Sequence, residues 1–351
     1  MYLSIIYHER PGVYSDYTAS SLHTARDAKV IALVGVSTAT AGLYTVTACA
    51  DGLTTFGAGS QLGKMLQAAY DNGAGTVLVY SIAADTTANY TTAIDAVLAE
   101  KRAAYCAVGS TAEAVQVSLA AKLGNAARQK GECIGVVSLA SPTKAELLER
   151  AAALDCERMV LLGPGCYLPG ESAPCAGGIA AAAFCGMLAA QDDPAMPLNG
   201  AVLNGISGVT ARYEDTDVDA LVQGGVTVLE ADGGQVTVLR GITSRQTTGE
   251  GRDATYRELN TVLIIDEVVP GIRQALAARF HRAKNNEATR SAIRSQVVVE
   301  LEDRRVREII DEYSDVTVTA ATEDPGICQV SFRFTVTHGL NRIYLTAHIS
   351  V

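Results

Sequence analysis

Between residues 28 and 165 the chain repeats one pattern, a short apolar run rich in β-branched residues followed by an amphipathic stretch. No other feature constrains its fold as strongly. The apolar runs are 30–36, 76–82, 103–108, 133–139 and 158–162. They are nearly continuous, as strands covered on both faces are, whereas strands with one wet face alternate. The stretches between them carry helix signals. Ser60 precedes Leu62, Met65, Leu66 and Ala69 at helical spacing, and Asn72-Gly73 closes that run. Thr111 opens a second, with Val115, Leu119 and Leu123 on one face and Gly131 beyond its end. Ser141-Pro142 reads as a cap followed by a first-turn proline. Repeated strand–helix units predict an α/β fold, a mainly parallel sheet with helices on both faces. A Gly/Pro-rich stretch at 163–177 breaks the rhythm, and an Ala-rich helix at 178–190 follows.

After Asp192 the texture changes. Runs 226–230 and 235–239 flank Ala231-Asp232-Gly233-Gly234, a hairpin signal. The polar loop 243–253 reads as a domain boundary. Beyond it, residues 259–280 place Val262, Ile265, Val269, Ile272, Leu276 and Phe280 at helical spacing, with Pro270 as a kink site. Asn285-Asn286 separates that helix from another expected to run to about Tyr313. Two alternating strands close the chain. Val330, Phe332, Phe334 and Val336 share one face of the first, and Ile343, Leu345, Ala347, Ile349 and Val351 share one face of the second. Chain ends fray unless something holds them, yet this alternation persists to the last residue. The start is similar: 1–7, with Leu3, Ile5 and Tyr7, is β-prone, and Val13 and Tyr14 follow Pro11. Both ends can pair within their own domain, or be donated to open sheet edges of neighbouring subunits.

The chain has 351 residues, 48% apolar and 19% charged, with a formal net charge of −10. That length accommodates a large domain and a smaller one, and the acidity argues against a nucleic-acid or anionic-membrane binder. No apolar run is long enough to span a bilayer, and the first residues lack the basic start of a signal peptide. The eight cysteines include no C-x-x-C pair and several lie in apolar runs, so they read as buried free thiols of a reducing compartment.

An α/β sheet invites an enzyme or small-molecule-binding reading, since ligands sit beyond the carboxyl ends of its strands. The residues there are chemically poor: Ser37, Thr38, Ala39 and Thr40 after the first run, Gly109-Ser110 after the third, Ala140-Ser141 after the fourth and Gly163-Pro164-Gly165 after the fifth. Asp85 alone is ionisable and reads as a helix cap. No histidine occurs between His23 and His281, which removes the commonest acid–base group. The run from Gly57 to Lys64 resembles a phosphate loop but has the wrong glycine spacing and no hydroxyl after Lys64. There is no nucleophile elbow and no metal-ligand spacing, so no catalytic residue, cofactor or metal is assigned. Between residues 271 and 310 the charge is reversed, with nine bases against five acids. Arg282, Lys284, Arg290, Arg294, Arg304, Arg305 and Arg307 form either a solvated helix face with mixed ion pairs or a basic surface for an acidic partner.

Several segments, in order along the chain, resemble the tail sheath proteins of contractile phages and phage-tail-like bacteriocins. They are Glu9 to Tyr14 (ERPGVY), 56–82 (FGAGSQLGKMLQAAYDNGAGTVLVYSI), 224–245 (GGVTVLEADGGQVTVLRGITSR), 256–272 (YRELNTVLIIDEVVPGI) and 342–351 (RIYLTAHISV). The resemblance implies a sheath domain with a subtilisin-like fold that is no protease, and an α+β C-terminal domain facing an inner tube. It also implies terminal arms that interlock neighbours. On this chain that gives an N-terminal arm at 1–24, a sheath domain at 25–240, a tube-facing domain at 241–338 and a C-terminal arm at 339–351. The arms carry Leu3, Ile5, Tyr7, Val13 and Tyr14 at one end and Ile343, Leu345, Ala347, Ile349 and Val351 at the other. The implied partners are further copies of the chain in hexameric rings, the tail tube protein, and the baseplate and tail terminator proteins. Neither nucleic acid nor membrane insertion is implied, and the implied setting is a virion tail or bacteriocin particle assembled in the bacterial cytoplasm. The chain is compact for this family, so extra outer domains are not expected.

Overall fold

The computed structural model describes residues 29–246, 255–324 and 326–341. The five apolar runs are strands. In chain order the first half comprises β1 (Val30–Val36), β2 (Gly42–Val46), α1 (Cys49–Phe56), α2 (Gln61–Asp71), β3 (Val77–Ile82), α3 (Thr87–Ala99), β4 (Ala103–Val108) and α4 (Glu113–Arg128). There follow β5 (Ile134–Ser138), α5 (Lys144–Leu154), β6 (Met159–Gly163), β7 (Cys166–Tyr167), α6 (Gly177–Ala190), β8 (Gly208–Val209) and α7 (Asp215–Gln223). The hairpin β9 (Val226–Asp232) and β10 (Gln235–Val238) completes an eight-stranded sheet of order β10-β9-β6-β5-β4-β1-β3-β2. Every neighbouring pair is parallel except β10/β9 and β2/β3 at the two edges.

Successive side chains of a strand point to opposite faces, so a strand between two helical layers must be apolar at every position. In β1, Ile31 and Leu33 enter the core shared with α2 and α6, while Ala32 and Val34 enter the core shared with α3, α4 and α5. Helix α6 is buried almost all round, which accounts for its lack of a polar stripe. All eight cysteines are free thiols. Burial pushes the Cys106 thiol up to about 12 and that of Cys175 to about 11.

The helix starts correct three sequence expectations. Ser60 caps α2 as expected, accepting a hydrogen bond from Gly63 N at 2.9 Å. The cap of α5 is Thr143, not Ser141. Its hydroxyl accepts from Glu146 N while the Glu146 carboxylate accepts from Thr143 N at 2.7 Å, a capping box that outcompetes the Ser-Pro start. Helix α4 begins after Ala112, where Ser110 Oγ accepts from Ala112 N. Thr86, not Asp85, caps α3.

The C-terminal layer consists of α8 (Leu259–Phe280), α9 (Glu287–Val306), β11 (Ile310–Ala320) and β12 (Cys328–Val336). Helix α8 spans the expected residues and continues through Pro270. Helix α9, capped by Asn286, ends seven residues short of the expected Tyr313 because the chain turns at Arg307 and Glu308, the latter at φ 59°. Residues 310–320 are a strand, antiparallel to β12. A register break between Ser314 and Thr317, with Asp315 at φ 53°, disrupts the alternation that would have revealed it.

Candidate assembly surface

A ligand site in a sheet of this order belongs where the chain reverses direction across it, between β1 and β4. Here that crevice is filled. Gln61, at the start of α2, accepts from Val36 N at 3.2 Å through Oε1 and donates to the Gly109 carbonyl at 2.8 Å through Nε2, bridging the carboxyl ends of both strands. Helix α6 starts directly against the neighbouring strand ends. A Cβ on Gly177 would lie 2.3 Å from Ser138 O, and one on Gly178 would lie 2.6 Å from Gly109 Cα. Next to them Gln116 is buried, donating to Ser110 O at 3.2 Å and accepting from Arg150. Backbone and amide groups thus satisfy one another where a substrate would sit. Among the described residues no group of three or more His, Cys, Asp or Glu could hold a metal ion, and no helix is long and apolar enough to cross a membrane.

Helix α8 joins the two layers. Leu259, Val262 and Leu263 belong to the central core. Ile264, Val268 and Ile272, on another side of the helix, pack with Val297 and Leu301 of α9 and with Ile309, Ile310 and Val316. Two ion pairs hold the helix to the amino ends of β5 and β6. Arg158 makes a two-pronged contact with Asp266, 2.8 Å on each arm, and Arg273 reaches Glu132 at 2.7 Å. Burial pushes the Asp266 carboxyl up, opposed by Arg158. Burial likewise pushes Glu132 up, but the hydrogen bond and charge of Arg273 outweigh it and hold that carboxyl below its usual value.

The basic residues singled out in the sequence do not form one surface. Arg304 is 6% exposed and is removed from any docking face. It bonds the carbonyl and carboxylate of Glu300 and lies over Gly271, where a Cβ would come within 2.2 Å of its Nη2. A larger residue at 271 would push that guanidinium aside. Arg294 donates to Val316 O at 2.9 Å and Arg290 to Asn285 Oδ1 at 3.0 Å, so both tie α9 to its surroundings. Arg305 pairs with Glu302 and Arg307 with Asp303 along the helix. Arg282 and Lys284 are exposed in the turn between α8 and α9.

The ribbon β11–β12 lies on α9. Val330, Phe332, Phe334 and Val336 face it half-buried, while Ser331, Arg333 and Thr335 are exposed. Among the described residues, each of these strands pairs only with the other. Past β12 the chain returns to the 193–199 loop, where Asn199 donates to Asn341 Oδ1 at 3.0 Å and Gly339 lies against Pro197. The arm residues Leu3, Ile5, Tyr7, Val13, Tyr14, Ile343, Leu345, Ala347, Ile349 and Val351 lie outside the described residues.

The molecule is therefore an α/β block with a filled crevice, joined through α8 to a half-covered α+β layer. Two family models match it in order: the phage tail sheath protein central domain over residues 83–244 and the phage tail sheath C-terminal domain over residues 252–350. The chain belongs to the contractile tail sheath family and is the sheath protein of a contractile injection system. Solved structures share its fold. A chain of the anti-feeding prophage baseplate superposes with a TM-score of 0.75 at 15% identity, covering 98% of this chain and 100% of that one. The contracted helical sheath of the anti-feeding prophage gives 0.74 at 15% identity, with 96% and 98% covered. A sheath tail protein from Desulfitobacterium hafniense gives 0.70 at 13% identity, with 93% and 100% covered. No curated protein matches the sequence.

Proposed function

We propose that this chain polymerises as stacked hexameric rings around a tail tube and contracts to drive the tube through a target envelope. In this reading it is a building block and no catalyst. The observation that carries the proposal is the half-covered ribbon β11–β12, whose outer edges have no partner strand among the described residues, next to a terminus that alternates apolar and polar residues up to Val351. The fold shared with a helical sheath in its contracted state supports it. Residues 1–24 and 339–351 act as arms donated to neighbours. Residues 25–240 form the sheath domain and 241–338 the tube-facing domain, a boundary a few residues before the gap at 245–251 between the two family matches. Baseplate and terminator proteins cap the two ends of the polymer, which assembles in the bacterial cytoplasm and works in a virion tail or bacteriocin particle.

Each added strand contributes several backbone hydrogen bonds worth a net ~0.5–1.5 kcal/mol apiece. Several arms engaged at once hold the lattice through effective concentration, although each is weak alone. Because a ring-to-ring contact does not close on itself, it propagates as a helix. Arg282 and Lys284, the exposed bases between α8 and α9, are the remaining candidates for contact with an acidic tube. The test is electron microscopy of the purified full chain beside a chain ending at Leu340. The full chain forms ordered tubes, and the shortened one stays folded and forms none. Tubes from the shortened chain would overturn the arm assignment.

A further inference from the structure

The two ends of the central sheet carry opposite charge. Lys29 stands just before β1, Lys101 and Arg102 just before β4, and Lys130 upstream of β5. These three strands are neighbours and parallel, so the four bases meet at one end. There they line a cleft of about 260 Å³ together with Glu132, Asp266, Glu267 and Arg273. Arg273 occupies Glu132 and Arg158 occupies Asp266, and with five bases against three acids in its lining the cleft is net positive. Lys101 and Lys130 sit at φ 53° and 65°, immediately past α3 and α4, a left-handed backbone that lysine adopts only at some cost. Arg102 and Lys130 are exposed, with no acidic partner among the described residues.

The carboxyl end of the sheet is acidic. Glu113, Glu146 and Glu149 line a depression of about 250 Å³, and Glu214, Asp215 and Asp217 stand at the start of α7. The start of α7 lies at this end because Asp217 pairs with Lys144, the first residue of α5. Arg150, the base in the depression, is engaged with Glu113 and Gln116. The helix dipole accounts for the signs, since carboxylates favour helix starts and bases favour helix ends. In a parallel α/β sheet the crossing helices all run from the carboxyl end back to the amino end, so their flanking charges accumulate at opposite poles.

We infer that the basic cleft at the amino end of the sheet docks the acidic carboxyl end of a second copy of this chain, which would position successive subunits head to tail. This rests on the sheath reading above and names one contact within it. Matching needs only a translation along the strands, and a heterologous contact of that kind extends without closing. Complementary charge then sets orientation and register. The residues preceding Lys29 are a poorer occupant, with three acids against two bases.

The test uses two charge-reversed full-length variants, R102E/K130E and E149K/D215K, which alter exposed residues on opposite ends. Each alone should yield roughly tenfold less polymer than wild type. An equimolar mixture should recover tubes, because each variant then offers the charge that the other's reversed end requires. Recovery on mixing also excludes misfolding as the cause of the loss. The inference is overturned if either variant alone polymerises like wild type, or if the mixture stays unassembled while circular dichroism shows both variants folded. Wild-type chain that forms no tubes would sink the sheath reading, and the contact with it. Wild-type tubes indifferent to both variants would sink the contact alone.

Discussion

Strands β5 and β6 are buried along their whole length, whereas β12 alternates between half-buried and exposed at every residue. The first two lie between helical layers and satisfy both faces within the subunit. The third lies on α9 with its other face open. A strand covered twice has nothing left to offer a neighbour. A ribbon covered once, with unpaired outer edges among the described residues, offers both a face and a hydrogen-bonding edge. The central sheet is therefore closed within the subunit, whereas the C-terminal layer keeps an open face and open edges among the described residues.

The comparison breaks if truncations in the two regions cost the same. Phe184→Ala, at a fully buried position of α6, should lower the unfolding free energy of the isolated chain by about 3–5 kcal/mol. Phe334→Ala, on the half-buried face of β12, should cost about half as much or less. Denaturant unfolding of both variants reads the difference. Asp266→Ala comes next. It strands Arg158 between the layers, and a one-sided break of a largely buried pair costs about 2–4 kcal/mol once partial exposure is allowed for. Replacing both partners together, as Arg158→Met with Asp266→Leu, should recover most of that loss. If the single variant is neutral, α8 is not held to the sheet through this pair.

The same contrast explains what could be read from the sequence. Covered strands are apolar at every position, so 30–36 and 103–108 coincide with β1 and β4 to the residue. The helix at 259–280 was equally plain because its apolar spacing survives Pro270. β11 was hidden by the register break at Ser314–Thr317, which destroys the period of two. β2 and α1 were hidden by short length and weak patterning. Charge counting put Arg304 on the surface, since composition does not distinguish a solvated guanidinium from one enclosed over Gly271. The filling of the crevice by Gln61 had no sequence signal, because a glutamine one residue past a serine cap is ordinary.

Two smaller effects sharpen the comparison at the borders of the central block. Gln61→Ala leaves Val36 N–H and Gly109 C=O without their partner, and should cost about 1–3 kcal/mol. A cost near zero would mean that water replaces the amide and that the crevice is not closed. The smallest effect concerns Glu132, which Arg273 holds below its ordinary value of 4.5. A carboxyl with a lowered folded value binds fewer protons in the native state than in the unfolded one. Its contribution is complete above 4.5 and disappears as pH falls through the lower folded value. Glu132→Gln should therefore cost about 0.5–1 kcal/mol at neutral pH, given that Arg273 is 34% exposed and partly screened. The gap between variant and wild type should close on acidification. Denaturant unfolding at neutral and acid pH measures both numbers. A gap that persists unchanged in acid would mean that Glu132 acts through packing, leaving the Arg158–Asp266 contact as the ionic tie between the two layers on this side of α8.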